Sequence, residues 1–336
     1  MMLAVVFACA PPAIKTTSLV PAKFHEAAQL KEVAVLPFDG TGGESFAAEI
    51  EGTLTSINIG DKQYFTVIDR MKLDKIINEM KFSQTALVDA ATAAKVGKMV
   101  GAKGIYTGVI TRTGSSDSYY SENRSRCAYN VTKYDKKGKP YEACGKWEYY
   151  RVSCTKRIAT FTFTPKLIEV ATARIVYARN ISGTAASNAC ADSKKPIDSS
   201  YELIEKAKEF AKRMFRTDIA PYYVTFEIQL MTSTDGIASK DAEKKFEQGL
   251  DFAKANRLDR ACELWGQARI LSPNSPSILY NLGICSEVTG ELEQAFALYK
   301  KADGLMSSPD DKVSSALHRV SDALQKQRKL KEQVTK

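Results

Sequence analysis

The stretch from Gly249 to Ala268, GLDFAKANRLDRACELWGQA, returns 34 positions later as Gly283 to Ala302, GICSEVTGELEQAFALYKKA. Gly249, Ala261, Trp265 and Ala268 fall on Gly283, Ala295, Tyr299 and Ala302. Small residues at fixed points, with one large ring per repeat, predict a helix pair that buries its apolar face only by stacking on a neighbour. The period thus predicts an all-α helical-hairpin domain over 240–336, made of two repeats and a capping helix. The cap starts near Asp310 and carries Val313, Leu317, Val320 and Leu324. Ser233–Ser239 reads as the linker before it.

A period of 34 with this pattern is that of the tetratricopeptide repeat, whose exposed first-helix positions line a groove for a partner. Those positions here are Lys244, Gln248, Asn281 and Glu287, and they are the expected partner contacts. Trp265 and Tyr299 are expected in the core, and Cys262 and Cys285 read as small core residues. Such modules bind and do not catalyse.

The 336 residues are enough for about two domains, and 44% apolar content suffices for ordinary cores. Net charge is +9, with Lys and Arg read as spread along the chain, a basic soluble surface. Only two histidines occur, His25 and His318. No Ser–His–Asp, Cys–His or paired-carboxylate arrangement can be assembled from these residues, so no enzymatic activity, metal or cofactor is expected. Asp39-Gly-Thr-Gly-Gly43 lies between a strand and a helix but lacks a P-loop ending, and reads as a plain β-α turn. A nucleotide-binding enzyme built on it would lose binding on Gly42→Val.

Met1 to Pro12, MMLAVVFACAPP, ends an apolar run in Ala8-Cys9. This looks like the tail of a bacterial lipoprotein signal, with Cys9 the lipidated residue and 1–30 a signal remnant and tether; the true start is expected upstream. Four further cysteines, Cys127, Cys144, Cys154 and Cys190, cluster in one polar region. That suits disulfides in an oxidising compartment. The pairing Cys127–Cys144 and Cys154–Cys190 is favoured because the first pair flanks the turn-like Asp135–Pro140; zinc is the alternative, without any Cys-x-x-Cys spacing.

Between tether and repeats, short apolar runs alternate with helical stripes. Strands are expected at Glu32–Phe38, Tyr64–Asp69 and Gly104–Thr111. Helices carry Phe46, Ile50 and Leu54, then Leu73, Ile76 and Ile77, then Ala93, Val96 and Val100 behind an Asp89 N-cap. That order predicts an α/β layer. A hairpin (158–164 with 173–178), a helix from Ser199 to Phe215 and a last strand at Tyr222–Leu230 complete a domain over 31–232.

The strings Val33-Ala-Val-Leu-Pro-Phe38, Phe65-Thr-Val-Ile-Asp-Arg70, Val88-Asp-Ala-Ala-Thr-Ala-Ala-Lys-Val-Gly97 and Gly101-Ala-Lys-Gly-Ile-Tyr-Thr-Gly108 resemble, in this order, the family of the curli secretion lipoprotein CsgG and related periplasmic lipoproteins that assist peptidoglycan synthases. The resemblance spans about 30–230. It implies a layered α/β domain on a lipoprotein anchored at the periplasmic face of the outer membrane, and it admits homo-oligomers.

The channel members of that family contribute amphipathic hairpins to a pore. Here 112–157 takes the position of the first hairpin, yet its strands carry charge on both faces, and each lipid-facing Lys or Arg at mid-bilayer costs about 2–4 kcal/mol. The second position, Ser182–Ser199, is short. A secretion-channel subunit is therefore the alternative and not the first reading. The insertion instead interleaves Tyr129, Tyr134, Trp147 and Tyr149 with lysines and arginines, a composition that suits a protein-docking face. The expected function is a non-catalytic, outer-membrane-tethered scaffold for an envelope secretion or cell-wall machine. Its partners are proteins of that complex, recruited through the groove, with no nucleic acid.

Overall fold

The computed structural model describes residues 12–80 and 87–335, and they form two compact units. One spans Glu26–Ile219. The other joins Ala220–Lys336 to the residues up to His25. Cys9, the expected lipidation site, lies outside the described residues.

In the first unit α1 (His25–Gln29) leads into β2 (Glu32–Val35); the strand preceding it, β1 (Ala13–Val20), belongs to the other unit. Then follow α2 (Gly43–Thr55), a small hairpin β3 (Asn58–Ile59) and β4 (Lys62–Gln63), β5 (Thr66–Val67), α3 (Arg70–Met80) and α4 (Ala90–Val100). β5 and β6 (Gly104–Tyr134) flank β2 in parallel, which the intervening helices make possible as crossovers. From there the sheet turns antiparallel: β6 (Gly104–Tyr134), β7 (Pro140–Glu169) and β8 (Arg174–Ala178) follow in order, and β9 (Ile181–Cys190) also pairs with β7. The last helix, α5, runs Ser200–Ile219.

Each face of the sheet is covered by helices. On one, Leu73, Ala93, Val96 and Val100 meet Leu36, Ile105 and Ile168. On the other, Phe46 of α2 and Phe215 of α5 pack on Phe163 at ring distances of 4.9 and 6.0 Å. Asp89 caps α4 by accepting the Thr92 amide, as its position before the apolar stripe predicts. The Asp39–Gly43 turn is explained sterically. Gly40 has φ +103°, and a Cβ on Gly43 would lie 1.8 Å from the Phe38 carbonyl oxygen.

Two expectations are corrected here. The strand expected to end at Thr111 does not end: β6 is 31 residues long and β7 is 30. Tyr222–Leu230 does not join this sheet. Its strand, β10 (Tyr222–Gln229), pairs antiparallel with β1 (Ala13–Val20), a segment expected to be tether. The signal in β1 is weak because its inward row, Ile14, Thr16, Ser18 and Val20, is half hydroxylic.

In the second unit this two-stranded ribbon packs with α6 (Lys240–Lys254), α7 (Leu258–Leu271), α8 (Pro276–Val288), α9 (Leu292–Asp303) and α10 (Asp311–Thr335) around one core. The offset of 34 is visible as one contact made twice. A Cβ on Gly249 would lie 2.3 Å from Trp265 Nε1, and one on Gly283 2.5 Å from Tyr299 Cε1. Glycine is what lets each ring enter its helix pair, and both rings are fully buried. Cys262 and Cys285, read as core thiols, are instead a disulfide joining α7 to α8. The sequence hides this because nothing in the repeat requires cysteine at either point.

Candidate functional site

Two surfaces merit assembly from their residues: the expected groove and the β6–β7 insertion. The groove positions separate. Lys244 and Gln248 are exposed on α6, but Asn281 is fully buried and Glu287 nearly so. The Asn281 amide accepts from the Met231 backbone N–H and donates to the Met231 carbonyl, both at 3.0 Å. Tyr280 donates to the Gln229 carbonyl at 3.1 Å. The chain thus lays its own β10 and the residues after it along α8, where a partner was expected. Glu287 accepts from Tyr299 Oη at 2.7 Å and from Arg319 Nη2 at 2.8 Å, closing a pair with α10. Burial alone would lower the Arg319 pKa, but its bonds to Glu287 raise it above the ordinary value, while burial pushes the Tyr299 phenol up. Asn281 and Glu287 are therefore structural residues, and only half of the expected groove faces outward.

The insertion is a projecting arm. β9 runs beside β7 from Ile181 opposite Phe163 to Cys190 opposite Cys154. Beyond that point β7 pairs, among the described residues, only with β6, out to Tyr134 opposite Pro140. Fourteen residues per strand at 3.3–3.4 Å make this bare ribbon roughly 45 Å long. A two-stranded ribbon is marginal alone in water. Two disulfides hold this one: Cys154–Cys190 at its root and Cys127–Cys144 toward the tip. These use all four clustered cysteines, so no thiolate is left for zinc; Glu122 lies near Cys154 and Cys190, but their sulfurs are bonded to each other.

Arg157 also anchors the root. Its guanidinium donates twice to Asp117, at 2.7 Å each, and once to the Asp198 carbonyl at 3.1 Å. That contact holds the Asp117 carboxyl below its ordinary range. At the tip Asp135 accepts from the amides of Lys137 and Lys139, and Gly138 takes φ +76° to close the turn.

Strand alternation divides the aromatic residues by face. Trp147 stands opposite Cys127, Tyr149 opposite Ser125 and Tyr119 opposite Thr155, all on one face. They are exposed by 54%, 80% and 79%, too open for any packing role. Tyr150, Arg124 and Arg126 share the other face, where Arg126 bonds Glu148 at 3.2 Å and lies 5.8 Å from the Tyr150 ring. Tyr129, past the register shift, lies over Gly145, and Tyr134 is exposed at the tip. The structure thus puts Trp147 and Tyr149 side by side and spreads Tyr129 and Tyr134 distally.

The even spread of charge expected from the composition is corrected by the arm. Residues 112–157 hold eleven Lys and Arg against five Asp and Glu, net +6 of the chain's +9. A window count of charge finds the arm without any structure. Chemically, an exposed aromatic and cationic ribbon is suited to docking.

The architecture is that of an α/β three-layer domain with a stapled, projecting hairpin, joined in sequence to a helical-hairpin unit. A family model described as "Curli production assembly/transport component CsgG" matches residues 52–191, from within α2 through the arm and β9. No protein among curated sequences matches the chain. Three solved structures are similar to parts of it. The LpoB C-terminal domain from Salmonella enterica is 9% identical and covers 48% of this chain and 94% of its own, with a TM-score of 0.26. Lipoprotein GNA1162 from Neisseria meningitidis is 10% identical over 48% and 85%, with a TM-score of 0.23. The PelC dodecamer from Paraburkholderia phytofirmans is 13% identical over 62% and 99%, with a TM-score of 0.24. Among the described residues no helix is long and apolar enough to cross a membrane.

Proposed function

We propose that this protein is a non-catalytic assembly factor of the bacterial envelope, held at the periplasmic face of the outer membrane by a lipid on Cys9, and that it docks an acidic partner protein on its arm. The single observation that carries this reading is the arm itself. It is a disulfide-stapled ribbon with Trp147, Tyr149 and Tyr119 exposed on one face and a net charge of +6. Tyr, Trp and Arg dominate binding hot spots, and a cationic patch speeds encounter with an acidic surface. The helical hairpins are read as tetratricopeptide-type repeats. Their groove is a weaker candidate than the sequence alone suggests, because Asn281 and Glu287 are spent within the chain. Lys244 and Gln248 remain open for a secondary contact. The anchor raises the effective concentration of the arm at the membrane surface.

The test is crosslinking and pull-down from envelope fractions with wild type, Cys9→Ser and Trp147→Ala/Tyr149→Ala. The proposal expects Cys9→Ser to leave the membrane fraction and the double variant to lose its co-purifying protein while staying anchored. Retention of that protein by the double variant contradicts docking on the arm.

A second reading, a secretion-channel subunit, draws on the outer edge of β6, which beyond Val109 pairs with no other strand among the described residues. Such an edge accepts a strand of another copy. Against it, Arg124 and Arg126 lie on one face and Arg151 on the other, so whichever face met lipid would carry arginine, at about 2–4 kcal/mol each near mid-bilayer. Negative-stain images of detergent-extracted protein decide: closed rings with a lumen support the channel, and discrete particles support the assembly factor.

A further inference from the structure

We infer that the Pro12 end of the β1–β10 ribbon rests on the phospholipid headgroups of the leaflet that carries the anchor, which makes the helical unit a membrane-contacting unit. The inference rests on the proposed lipid at Cys9 and adds which surface meets the bilayer; it does not use the arm. A long tether would leave every surface free to turn toward the membrane. Here β1 takes up the segment that would serve as one. Ala13 pairs with Gln229, and the Leu230 amide donates to the Pro12 carbonyl at 2.8 Å. Helix α8 fixes that end in turn: Tyr280 donates to the Gln229 carbonyl at 3.1 Å, and Asn281 bonds both backbone groups of Met231 at 3.0 Å. Only three steps of chain separate Cys9 from Pro12, and at full extension they reach about 11 Å at most.

That reach decides what can lie between. Two acyl chains on Cys9 hold its backbone at the level of the headgroups, and each headgroup layer is about 5–8 Å thick. Pro12 therefore stands at most a few ångströms clear of the layer, less than the roughly 10 Å width of one helix. No other folded element fits in that gap. The chemistry of this end suits contact without insertion. Its exposed residues Ala13, Gln229, Thr232 and Ser233 are uncharged, and Asp235 in the following turn is bonded to Ser233 at 2.8 Å. The next outward pair sets Lys15 opposite Glu227. The large apolar neighbours Ile14, Ile228, Leu230 and Met231 are buried in the core, whereas a segment that inserts exposes Trp, Phe or Leu beside Lys and Arg. The leash, and not lipid charge, holds this end at the surface.

The test uses the lipidated full chain, extracted from membranes and reconstituted into phosphatidylethanolamine–phosphatidylglycerol vesicles containing a headgroup-nitroxide lipid. Dansylalanine replaces Gln229 in one sample and Tyr223 in another; both are exposed in the outward row of β10, about 20 Å of strand apart. The expected result is loss of most emission from position 229 and little from 223, unchanged by high salt or by phosphatidylcholine vesicles. A 20-residue Gly-Ser insert after Ala10, with a mean reach of about 25 Å, should restore emission at 229 while the protein still floats with the vesicles. Circular dichroism verifies the fold of each labelled chain, and hydrogen exchange of the unlabelled chain gives a second readout: slower exchange over 229–233 on vesicles, relieved by the insert. Flotation of wild type against Cys9→Ser tests the anchor by itself; if wild type does not float, that reading fails and the inference falls with it. If wild type floats but 229 and 223 are quenched equally, or 229 is not quenched, or the insert leaves quenching unchanged, the inference alone is overturned.

Discussion

The arm and the helical hairpins both contain tryptophan, tyrosine and a disulfide, yet they use them in opposite ways. In the hairpins Trp265 and Tyr299 are fully buried, each against a glycine 16 residues earlier in its repeat. In the arm Trp147 and Tyr149 stand more than half exposed on a bare ribbon. The same side chains are core in one unit and surface in the other because a helix pair brings a second element over each ring and a lone ribbon does not. The difference separates residues that stabilise from residues that the proposed docking would use, and it can be tested from both sides.

The largest contrast is between two tryptophans. Trp265→Ala removes a fully buried ring and should cost about 3–5 kcal/mol in denaturant unfolding of the helical unit. Trp147→Ala should shift the same curve by less than about 0.5 kcal/mol and instead weaken partner binding by about 2 kcal/mol. Equal stability losses would erase the distinction drawn here.

Next come the staples. In the chain-entropy model, losing Cys154–Cys190, which closes a separation of 36 residues, costs about 3–4 kcal/mol at most. Because the ribbon beyond it leans on no other strand among the described residues, Cys154→Ser/Cys190→Ser should expose 121–153 to limited proteolysis while the α/β layers stay resistant. Uniform resistance would show that strand pairing alone holds the arm. Gly283→Ala sharpens the helical side: its new methyl meets the Tyr299 ring, with an expected loss of about 1–3 kcal/mol, read from the thermal midpoint.

The smallest effect is electrostatic. Glu49 of α2 accepts from Lys208 at 2.7 Å and Lys212 at 2.9 Å on α5. Burial would raise its pKa, but these bonds bring it below the ordinary 4.5, and the same contacts raise both lysines despite their burial. A depressed carboxylate stabilises the fold above its unfolded pKa, and the benefit is lost as pH falls through the folded value. The raised lysines stabilise below 10.5 and lose it as pH rises through their folded values. Glu49→Gln should cost about 1–2 kcal/mol at neutral pH and flatten the stability decline below about pH 4.5. An unchanged acid limb in the variant would assign that decline to other carboxylates.

Legibility in the sequence follows how local the determinants are. The helical hairpins are readable because period, glycine and ring recur within 34 residues. The α/β layer is readable from strand–helix order and from the Asp89 cap. The disulfide candidates of the arm, and the turn at Asp135, can be read from spacing. What escapes is long-range. β1 pairs with a strand more than 200 residues away, and its Thr16 and Ser18 give no apolar alternation. Distance in sequence likewise hides the burial of Asn281, against which residues 229–231 lie, and that of Glu287, which Arg319 reaches from α10. The length of the arm is hidden for another reason: a two-faced polar strand has no period-2 signal, although its charge is there to count.

The central claim is that recognition resides on the arm. A photo-crosslinking amino acid placed at Tyr149, at Lys244 and at Lys15 in the full-length chain tests it in one experiment. The account predicts a discrete partner adduct from position 149, little from 244 and none from 15. A dominant adduct from 244, with 149 silent, would return the partner to the helical groove and contradict the account.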